Sequence, residues 1–408
     1  MPLTISRAVS FRLCATLLAI GIAGCATPKP PPPAPVVELP PAPVAGHPLT
    51  ADSPAFLKLP NLDPNQTPVR VGIILPLNSG SQATRNLAGA MLKAAELALY
   101  DAKNPNIVLM TADEGTTPAE AAAAANKLLA QGAEVIVGPL FAASVSAVAP
   151  IARDKGVPVL AFSTDKSVAG DGTYLLSFLP QSEVKRVVTY AASQGHHNFA
   201  AMVPQNDYGT VIANAFGDAV KAANGTTVDI QRFTPATNQV MAPSQAIAKT
   251  KADAVMVAEG GQVLRAVAPS LGFAGLDKNA VKLLGTGLWD DPSIAREDML
   301  VGGWFAAPEP DADDAFSARF QTTFGSTPPQ LASLSYDAIA LVALLSSGTP
   351  YHRFTQAALM DPNGFSGVDG IFRFNADGTS ERGLAVLEVA PDGFHVVSPA
   401  PKTFQSQS

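Results

Sequence analysis

From residue 69 onward, short runs of apolar residues alternate with longer stretches whose apolar positions recur at helical spacing. The short runs are rich in β-branched residues, which is typical of buried strands. They predict strands over 69–75, 107–111, 134–138, 157–162, 199–203, 226–232, 254–258 and 281–285. The longer stretches predict helices over 87–100, 118–131, 142–155, 183–194, 209–223, 241–250, 262–271, 315–324 and 331–345.

Strands separated by helices indicate parallel sheets with helices on both faces, the doubly wound α/β class. The units are too many for one ordinary sheet, so we predict two doubly wound lobes in one body. Near the end of the chain, 370–374 and 384–389 flank an Asn-Ala-Asp-Gly-Thr turn at 375–379. This arrangement predicts a β-hairpin.

The first 68 residues follow another pattern. Arg7 and Arg12 precede an apolar run over 13–24, which has the layout of a secretory signal peptide and is too short to span a bilayer as a stable helix. The run ends Ala-Gly-Cys at Cys25, which resembles a bacterial lipoprotein cleavage box. We predict a signal peptide over 1–24 and lipidation of Cys25, with Ala26 favouring the outer membrane. An ordinary signal peptide with a chance cysteine is the alternative.

Proline dominates the segment that follows, with ten of the 21 residues from Pro28 to Pro48. Such a stretch cannot hydrogen-bond as helix or sheet, so residues 25–68 are predicted to form an extended polyproline tether. The tether is either a featureless linker or a spacer that holds the globular part away from the membrane, toward a partner.

Composition narrows the classes of function. The chain has 408 residues, 47% hydrophobic and 15% charged, which suffices for sizeable cores. Its formal net charge is -7 and it has no cluster of Lys and Arg, so it is a poor candidate for nucleic-acid binding. Its two cysteines cannot build a disulfide framework or a cysteine-based zinc site.

No motif of a common enzyme class is complete. The chain lacks a nucleophile elbow, a P-loop, an HExxH and a CxxC. Ser163 and Lys166 fit the SxxK of penicillin-interacting enzymes, but the companion Ser-Asp-Asn and Lys-Thr-Gly motifs are absent. We therefore predict a protein that is not an enzyme and that has no cofactor and no metal.

Seven segments, in chain order, resemble signatures of the leucine-binding, type I periplasmic binding protein family. They are 71–77 (VGIILPL), 89–99, 138–140 (GPL), 156–159 (GVPV), 206–209 (NDYG), 335–338 (SYDA) and 370–378 (GIFRFNADG). The resemblance covers residues 69–397. It implies two doubly wound lobes joined by three crossovers, which we place at 177–181, 304–308 and 364–367, with a ligand cleft between the lobes. The predicted division is 69–179 with 307–365 for lobe 1, 180–306 with 366–397 for lobe 2, and a tail over 398–408.

The resemblance also implies ligand contacts where strands end and helices begin, because free N–H groups there favour anions. The candidates are Ser79, Ser144, Ser163, Thr164 and Tyr208, whose alternative roles are helix caps and, for Tyr208, packing between the lobes. In amino-acid binders of this family an acid on the second lobe meets the ligand ammonium group. The matching position here falls in 285–288, which has no carboxylate; Glu259 or Asp290 could substitute, and we include Glu259 among the ligand-binding candidates. Trp289 is expected to be buried beside the cleft.

Two functions fit these observations. The favoured hypothesis is a lipid-anchored periplasmic protein resembling penicillin-binding protein activators, which regulate peptidoglycan synthases by protein contact. The alternative is a substrate-binding protein that delivers an amino acid or similar small solute to an ABC permease. The partners expected are therefore a penicillin-binding protein or a permease, a small-molecule ligand in the second case, and the membrane through the lipid anchor.

Overall fold

The computed structural model describes residues 56–60, 66–236 and 238–405. The predicted signal peptide, the predicted lipidation of Cys25 and most of the predicted tether lie outside these residues. Within the described ranges, no helix is long and apolar enough to cross a membrane.

Lobe 1 begins with a six-stranded sheet. Its elements are β1 (Phe56–Lys58), β2 (Val69–Leu75), α1 (Gln82–Ala102), β3 (Ile107–Asp113), α2 (Pro118–Ala130), β4 (Val135–Val137), α3 (Ala142–Arg153), β5 (Val159–Ala161) and β6 (Thr173–Leu175). The strand order is β1-β3-β2-β4-β5-β6. Only the edge strand β1 runs antiparallel to its neighbour among these described strands.

Lobe 2 has a seven-stranded sheet. The chain forms α4 (Pro180–Ser193), β7 (Asn198–Pro204), α5 (Asp207–Ala222), β8 (Thr226–Phe233), α6 (Met241–Ala248), β9 (Ala254–Val257), α7 (Gly261–Phe273), β10 (Lys282–Gly285) and β11 (Trp304–Ala307). It then returns to lobe 1 with α8 (Asp314–Phe324), α9 (Ala332–Leu345) and α10 (Gln356–Leu359). The final strands are β12 (Phe365–Gly367), β13 (Gly370–Phe374), β14 (Ser380–Arg382), β15 (Ala385–Ala390) and β16 (Gly393–Ser398). The lobe 2 strand order is β16-β15-β11-β10-β9-β7-β8.

Alternating side chains of each central strand enter two separate cores. In β2, Val71 and Ile73 pack with α1 and α9, whereas Ile74 packs on the opposite face with α2 and α3. Lobe 2 repeats the arrangement, with α4 and α5 on one face of its sheet and α6 and α7 on the other. A strand buried on both faces needs an apolar residue at nearly every position. This requirement explains the continuous apolar runs and confirms the predicted doubly wound fold class.

The predicted hairpin is wrong in its second strand. β13 pairs with β14, which directly follows the turn, and the apolar run of β15 pairs antiparallel with β11 in the lobe 2 sheet. The turn closes on itself because the N–H of Asn375 donates to the carbonyl of Thr379 at 2.8 Å. β15 is almost wholly buried, so its apolar residues are better covered in the larger sheet than in an isolated hairpin.

Two of the three predicted crossovers shift along the chain. Residues 304–307 form the central strand β11, so the second passage begins at Pro308. Phe365, which we placed in the third crossover, lies in the lobe 1 core, as do Phe372 and Phe374. The chain reaches the lobe 2 sheet only after Arg382, so residues 366–382 depart from the division we expected.

Candidate functional site

The loops that follow the carboxyl ends of parallel strands form the ligand-facing edge of a doubly wound sheet. In lobe 1 these are the loops after β2, β3, β4 and β5. In lobe 2 they are the loops after β7, β9 and β10. The candidate site comprises the polar side chains at these two edges.

Glu114, the residue after β3, binds the backbone at the start of α3. The N–H groups of Leu140 and Phe141 donate to its carboxylate at 2.9 and 3.0 Å. The side chain of Ser144 is a further hydrogen-bond partner, and Glu114 is fully buried. Burial raises the pKa of this carboxyl, against the opposing effect of the hydrogen bonds. An internal carboxylate thus occupies two donors that a helix start offers to an anion.

The candidate hydroxyls of lobe 1 have local hydrogen bonds. Ser144 is buried against Glu114. The Oγ of Ser163 accepts the N–H of Asp165 at 3.1 Å, and the Oγ of Ser79 accepts the N–H of Ser81 at 3.3 Å. Thr164 is exposed beside Ser163. The residues that cap the neighbouring helices are Ser81, Phe141 and Asp165, so these bonds are turn contacts rather than the helix caps of the alternative reading, and ligand contacts by the four residues remain predictions.

Lobe 2 contains a carboxylate that the sequence analysis missed. Glu183 lies in the first turn of α4, and its Oε2 accepts the N–H of Gly287 at 2.9 Å. Gly287 begins a short 3-10 turn, Gly287–Trp289, after β10. A Cβ at Gly287 would lie 2.9 Å from Oε1 of Glu183, so this close approach depends on glycine. The segment 285–288, which we expected to lack an acid, therefore receives one from another element.

Tyr208 and Thr286 connect two of the lobe 2 loops beside Glu183. Their hydroxyl groups lie 2.9 Å apart and share a hydrogen bond, which joins the start of α5 to the end of β10. Burial raises the pKa of Tyr208, and the nearby carboxyls of Glu183 and Glu259 act in the same direction. Tyr208 therefore keeps its proton and can donate it in a hydrogen bond.

Burial raises the pKa of Glu183 to about 7, and the charge of Asp290 adds to the effect while the Gly287 hydrogen bond opposes it. No salt bridge to Glu183 forms among the described residues. A desolvated carboxylate without a cationic partner favours either a proton or a bound cation.

Two further acids extend this negative region. Glu259 follows β9, where its carboxylate accepts the N–H of Gly260 at 3.3 Å and burial raises its pKa. Asp290 follows the 3-10 turn, and its pKa is raised to about 6 by desolvation and then by the carboxyls of Asp313, Asp369 and Asp291. The lobe 2 edge is consequently suited to a positively charged group.

Trp289 ends the 3-10 turn Gly287–Trp289 and anchors it in the lobe 2 core. It is fully buried, as predicted, and its indole N–H donates to the carbonyl of Val257 at 3.1 Å. Gly285 and Gly303 lie against its ring, where a Cβ would come within 3 Å. This packing fixes the turn that presents Gly287 to Glu183.

The sequence signals for Glu183 and Glu114 differ. An acid three residues after Pro180 is typical of a helix N-terminus, where it complements the helix dipole. Glu114 directly follows the predicted strand at 107–111 and its extension to Asp113, and a strand end is where this fold places its ligand-facing loops. In the described part of the chain, no group of three or more His, Cys, Asp or Glu is suited to hold a metal ion.

Two doubly wound lobes with polar loops at their facing edges define a bilobal binding protein of the type I periplasmic fold. A family model described as "Periplasmic binding protein" matches residues 68–393, and the chain belongs to this family. Membership places the chain among periplasmic proteins and confirms the resemblance found in the sequence.

Solved structures of the same fold cover most of the chain. A Rhodospirillum rubrum protein provisionally described as a branched-chain amino acid ABC transporter is 18% identical, with a TM-score of 0.72, over 81% of this chain and 100% of its own. An ABC transporter substrate-binding protein from Sphaerobacter thermophilus is 20% identical, with a TM-score of 0.67, over 82% and 98%. A solute binding protein from Rhodopseudomonas palustris BisB5, in complex with 3,4-dihydroxy benzoic acid, is 18% identical, with a TM-score of 0.59, over 82% and 97%.

One curated relative matches part of the chain. It is an uncharacterized protein of Rickettsia prowazekii (strain Madrid E), 23% identical over 162 residues. The match covers 40% of this chain and 42% of that protein, so the chain spans about two fifths of the length of the curated relative.

Proposed function

We propose that this chain is a non-catalytic periplasmic receptor that closes its two lobes around a small amine-bearing solute and presents it to an ABC permease. The observation that carries the proposal is the carboxylate of Glu183, held by the N–H of Gly287 and without an ionic partner among the described residues. An ammonium group supplies the missing partner and three hydrogen-bond donors. The charges of Glu183 and Glu259 both act on Tyr208, so this part of lobe 2 offers the ammonium group a second carboxylate and a hydroxyl.

The lobe 1 edge argues against an ordinary α-amino acid. A ligand carboxylate placed near the start of α3 would meet the negative charge of Glu114, which already binds two of the N–H groups there. Two anions at one helix start repel each other more than the helix dipole attracts either. The proposed ligand therefore has an ammonium group and no carboxylate that must enter this region.

Matched ligands test the proposal. Leucine has both charged groups, 3-methylbutylamine is leucine without its carboxylate, and 4-methylpentanoate is leucine without its ammonium group. In a thermal-shift titration of the purified protein, the amine should raise the melting temperature by several degrees at a hundredfold excess over its Kd. The carboxylate should leave the melting temperature unchanged. A larger shift with 4-methylpentanoate than with 3-methylbutylamine would contradict the proposal.

A penicillin-binding protein activator is the second candidate function. It is favoured by the occupied start of α3, since a regulator that acts by protein contact needs no complete amino-acid site. The proposed lipid anchor at Cys25, its placement in the outer membrane and the proline-rich tether suit such a role, because a long spacer lets the globular part reach a synthase across the periplasm. If the protein melts cooperatively, none of the three ligands shifts the transition, and a purified penicillin-binding protein binds it, the activator function replaces the receptor.

A further inference from the structure

A cavity lies at the hinge, and none of its lining residues belongs to the acidic site of lobe 2. It measures about 590 Å³ and is bounded by one side of α4, by the segment 380–384 that leads into the third crossover, by Lys166 and by the tail at 401–404. We call this cavity the hinge groove. Its walls come from both lobes, because α4 belongs to lobe 2 and β14 pairs with the lobe 1 strand β13.

The hinge groove is positively charged in a chain whose net charge is -7. Two acids, Asp377 and Glu381, line it together with five cationic side chains, Lys166, Lys185, Arg186, Arg373 and Arg382. Five basic residues in one cavity, against 27 in the whole sequence, concentrate positive charge where the chain is otherwise acidic. A cavity with low-dielectric walls strengthens such a field.

The two acids balance part of this charge, and the buried carboxyls of Asp337 and Asp369 act on Arg382 from behind the wall. The carboxylate of Glu381 pairs with two cations, since its Oε2 lies 2.7 Å from Nη2 of Arg373 and its Oε1 lies 3.9 Å from Nζ of Lys185. Arg186 donates to neutral oxygens instead, the carbonyl of Leu384 at 2.8 Å and the hydroxyl of Ser398 at 2.7 Å. Its pKa is lowered by desolvation, as befits a partly buried cation without a carboxylate partner.

Two buried groups on the wall have hydrogen-bonding atoms without partners. The side chain of Arg382 is 2% exposed, and only its Nη2 reaches a carboxylate, that of Asp337 at 3.4 Å. Its Nε and Nη1, and both polar atoms of the Gln181 amide, have no hydrogen-bond partner among the described residues. The Cζ of Arg382 lies 4.6 Å from the centre of the Phe178 ring and 5.3 Å from that of Phe372. Unpaired buried donors of this kind are costly and therefore rare in proteins.

We propose that the hinge groove is a binding site for a small multivalent anion bearing phosphate or several carboxylate groups. The excess positive charge supplies the attraction, and the guanidinium of Arg382 and the amide of Gln181 supply fixed donors. The site is built from other residues than the amine site of the proposed function and does not depend on it.

Pyrophosphate and citrate are the probes, because one presents phosphates and the other carboxylates. The purified full chain is titrated with each by isothermal titration calorimetry at low and at raised salt. We expect binding of at least one probe that weakens as salt rises. The probe that binds more tightly identifies the anion class, and no heat from either probe at millimolar concentration would overturn the proposal.

A matched pair of double variants locates the site. K166Q/K185Q removes two exposed lysines of the groove, and K155Q/K221Q removes two exposed lysines elsewhere with the same change in net charge. K166Q/K185Q should weaken binding of the anion about tenfold, and K155Q/K221Q should weaken it less than twofold. Neither double variant should change binding of 3-methylbutylamine. Equal losses in the two double variants would show that the anion responds only to net charge and would contradict the site.

Discussion

The carboxylate of Glu183 lies against the backbone N–H of Gly287, with 2.9 Å between Oε2 and the nitrogen. Glu183 starts a helix and Gly287 follows a strand 104 residues later, so only the folded lobe brings them together. Burial raises the pKa of Glu183 to about 7 and the hydrogen bond from Gly287 opposes this rise, so the charge of the site changes with pH near neutrality.

Glu183→Gln should alter the pH dependence of stability. The folded chain retains a proton on Glu183 that the unfolded chain releases between pH 4.5 and about 7, so the wild type loses stability as pH rises through this window. The glutamine variant has no titrating group at this position, so its free energy of unfolding should not fall for this reason. In urea unfolding we expect equal free energies of unfolding near pH 4, and at pH 8 an advantage of about 1–2 kcal/mol for the variant.

Glu120→Gln provides a contrast of opposite sign. Hydrogen bonds from Thr116 and Thr117 lower the pKa of Glu120, so its contribution is present above pH 4.5 and lost as pH falls. This variant should be less stable than the wild type at pH 7 and should converge with it in acid. Parallel pH profiles for wild type and Glu183→Gln would contradict the assigned proton.

Gly287→Ala should displace the Glu183 carboxylate. The added methyl group would lie 2.9 Å from Oε1, closer than a carbon and an oxygen tolerate, so the side chain must turn away from the N–H. Affinity for 3-methylbutylamine should fall about tenfold, a loss comparable to that of one charge-assisted hydrogen bond. Gly217→Ala, on α5 with open space around it, is the control and should bind as the wild type does. Undiminished binding by Gly287→Ala would remove the geometric basis of the site.

Glu114→Ala should create an anion site within lobe 1. The N–H groups of Leu140 and Phe141 lose their acceptor, which should destabilise the chain by about 1–3 kcal/mol. Acetate fits the space left by the carboxylate and should restore part of the melting temperature of the variant without affecting the wild type. Ser144→Ala leaves both N–H bonds in place and should show no such rescue. Absence of rescue by acetate or formate would argue against an anion site at the start of α3.

The buried pair of Arg353 and Glu134 should contribute far more to stability than an exposed pair. Their Nη1 and Oε1 atoms lie 2.5 Å apart, with side chains 6% and 1% exposed. Arg353→Met leaves a buried carboxylate without its cation, with the N–H of Tyr351 still donating to it, and should cost about 3–5 kcal/mol in urea unfolding. Arg153→Met breaks an exposed pair with Asp171 and should cost less than about 1 kcal/mol. Equal losses would show that burial does not control these pairs.

The sequence was most informative where one physical requirement acts along a continuous segment. A strand covered on both faces must be apolar throughout, and for this reason both predicted ends of the strand Val69–Leu75 agree with the structure. β11 and β15 are equally apolar, but the sequence does not tell which sheet such a strand joins. Assigning β15 to a hairpin was wrong because pairing with β11 depends on the whole lobe 2 core.

The candidate site was harder to predict because its residues meet only in three dimensions. Motif positions located Tyr208 and the loop at 285–288, and the structure places both at one edge of lobe 2. The acid of this loop comes from Glu183, whose helix-start position has an ordinary structural explanation. No spacing in the chain relates Glu183 to Gly287, and none relates Glu114 to the start of α3.

The most direct test of the account is calorimetric titration of 3-methylbutylamine, which stays protonated throughout, into wild type and Glu183→Gln at pH 6 and pH 8. Since the carboxylate must be ionised to pair with ammonium, wild-type affinity should rise about tenfold between the two pH values, as expected for a pKa of about 7. The glutamine variant should bind weakly and equally at both. Equal affinity of wild type and variant, or wild-type affinity that falls as pH rises, would contradict a cation site at Glu183.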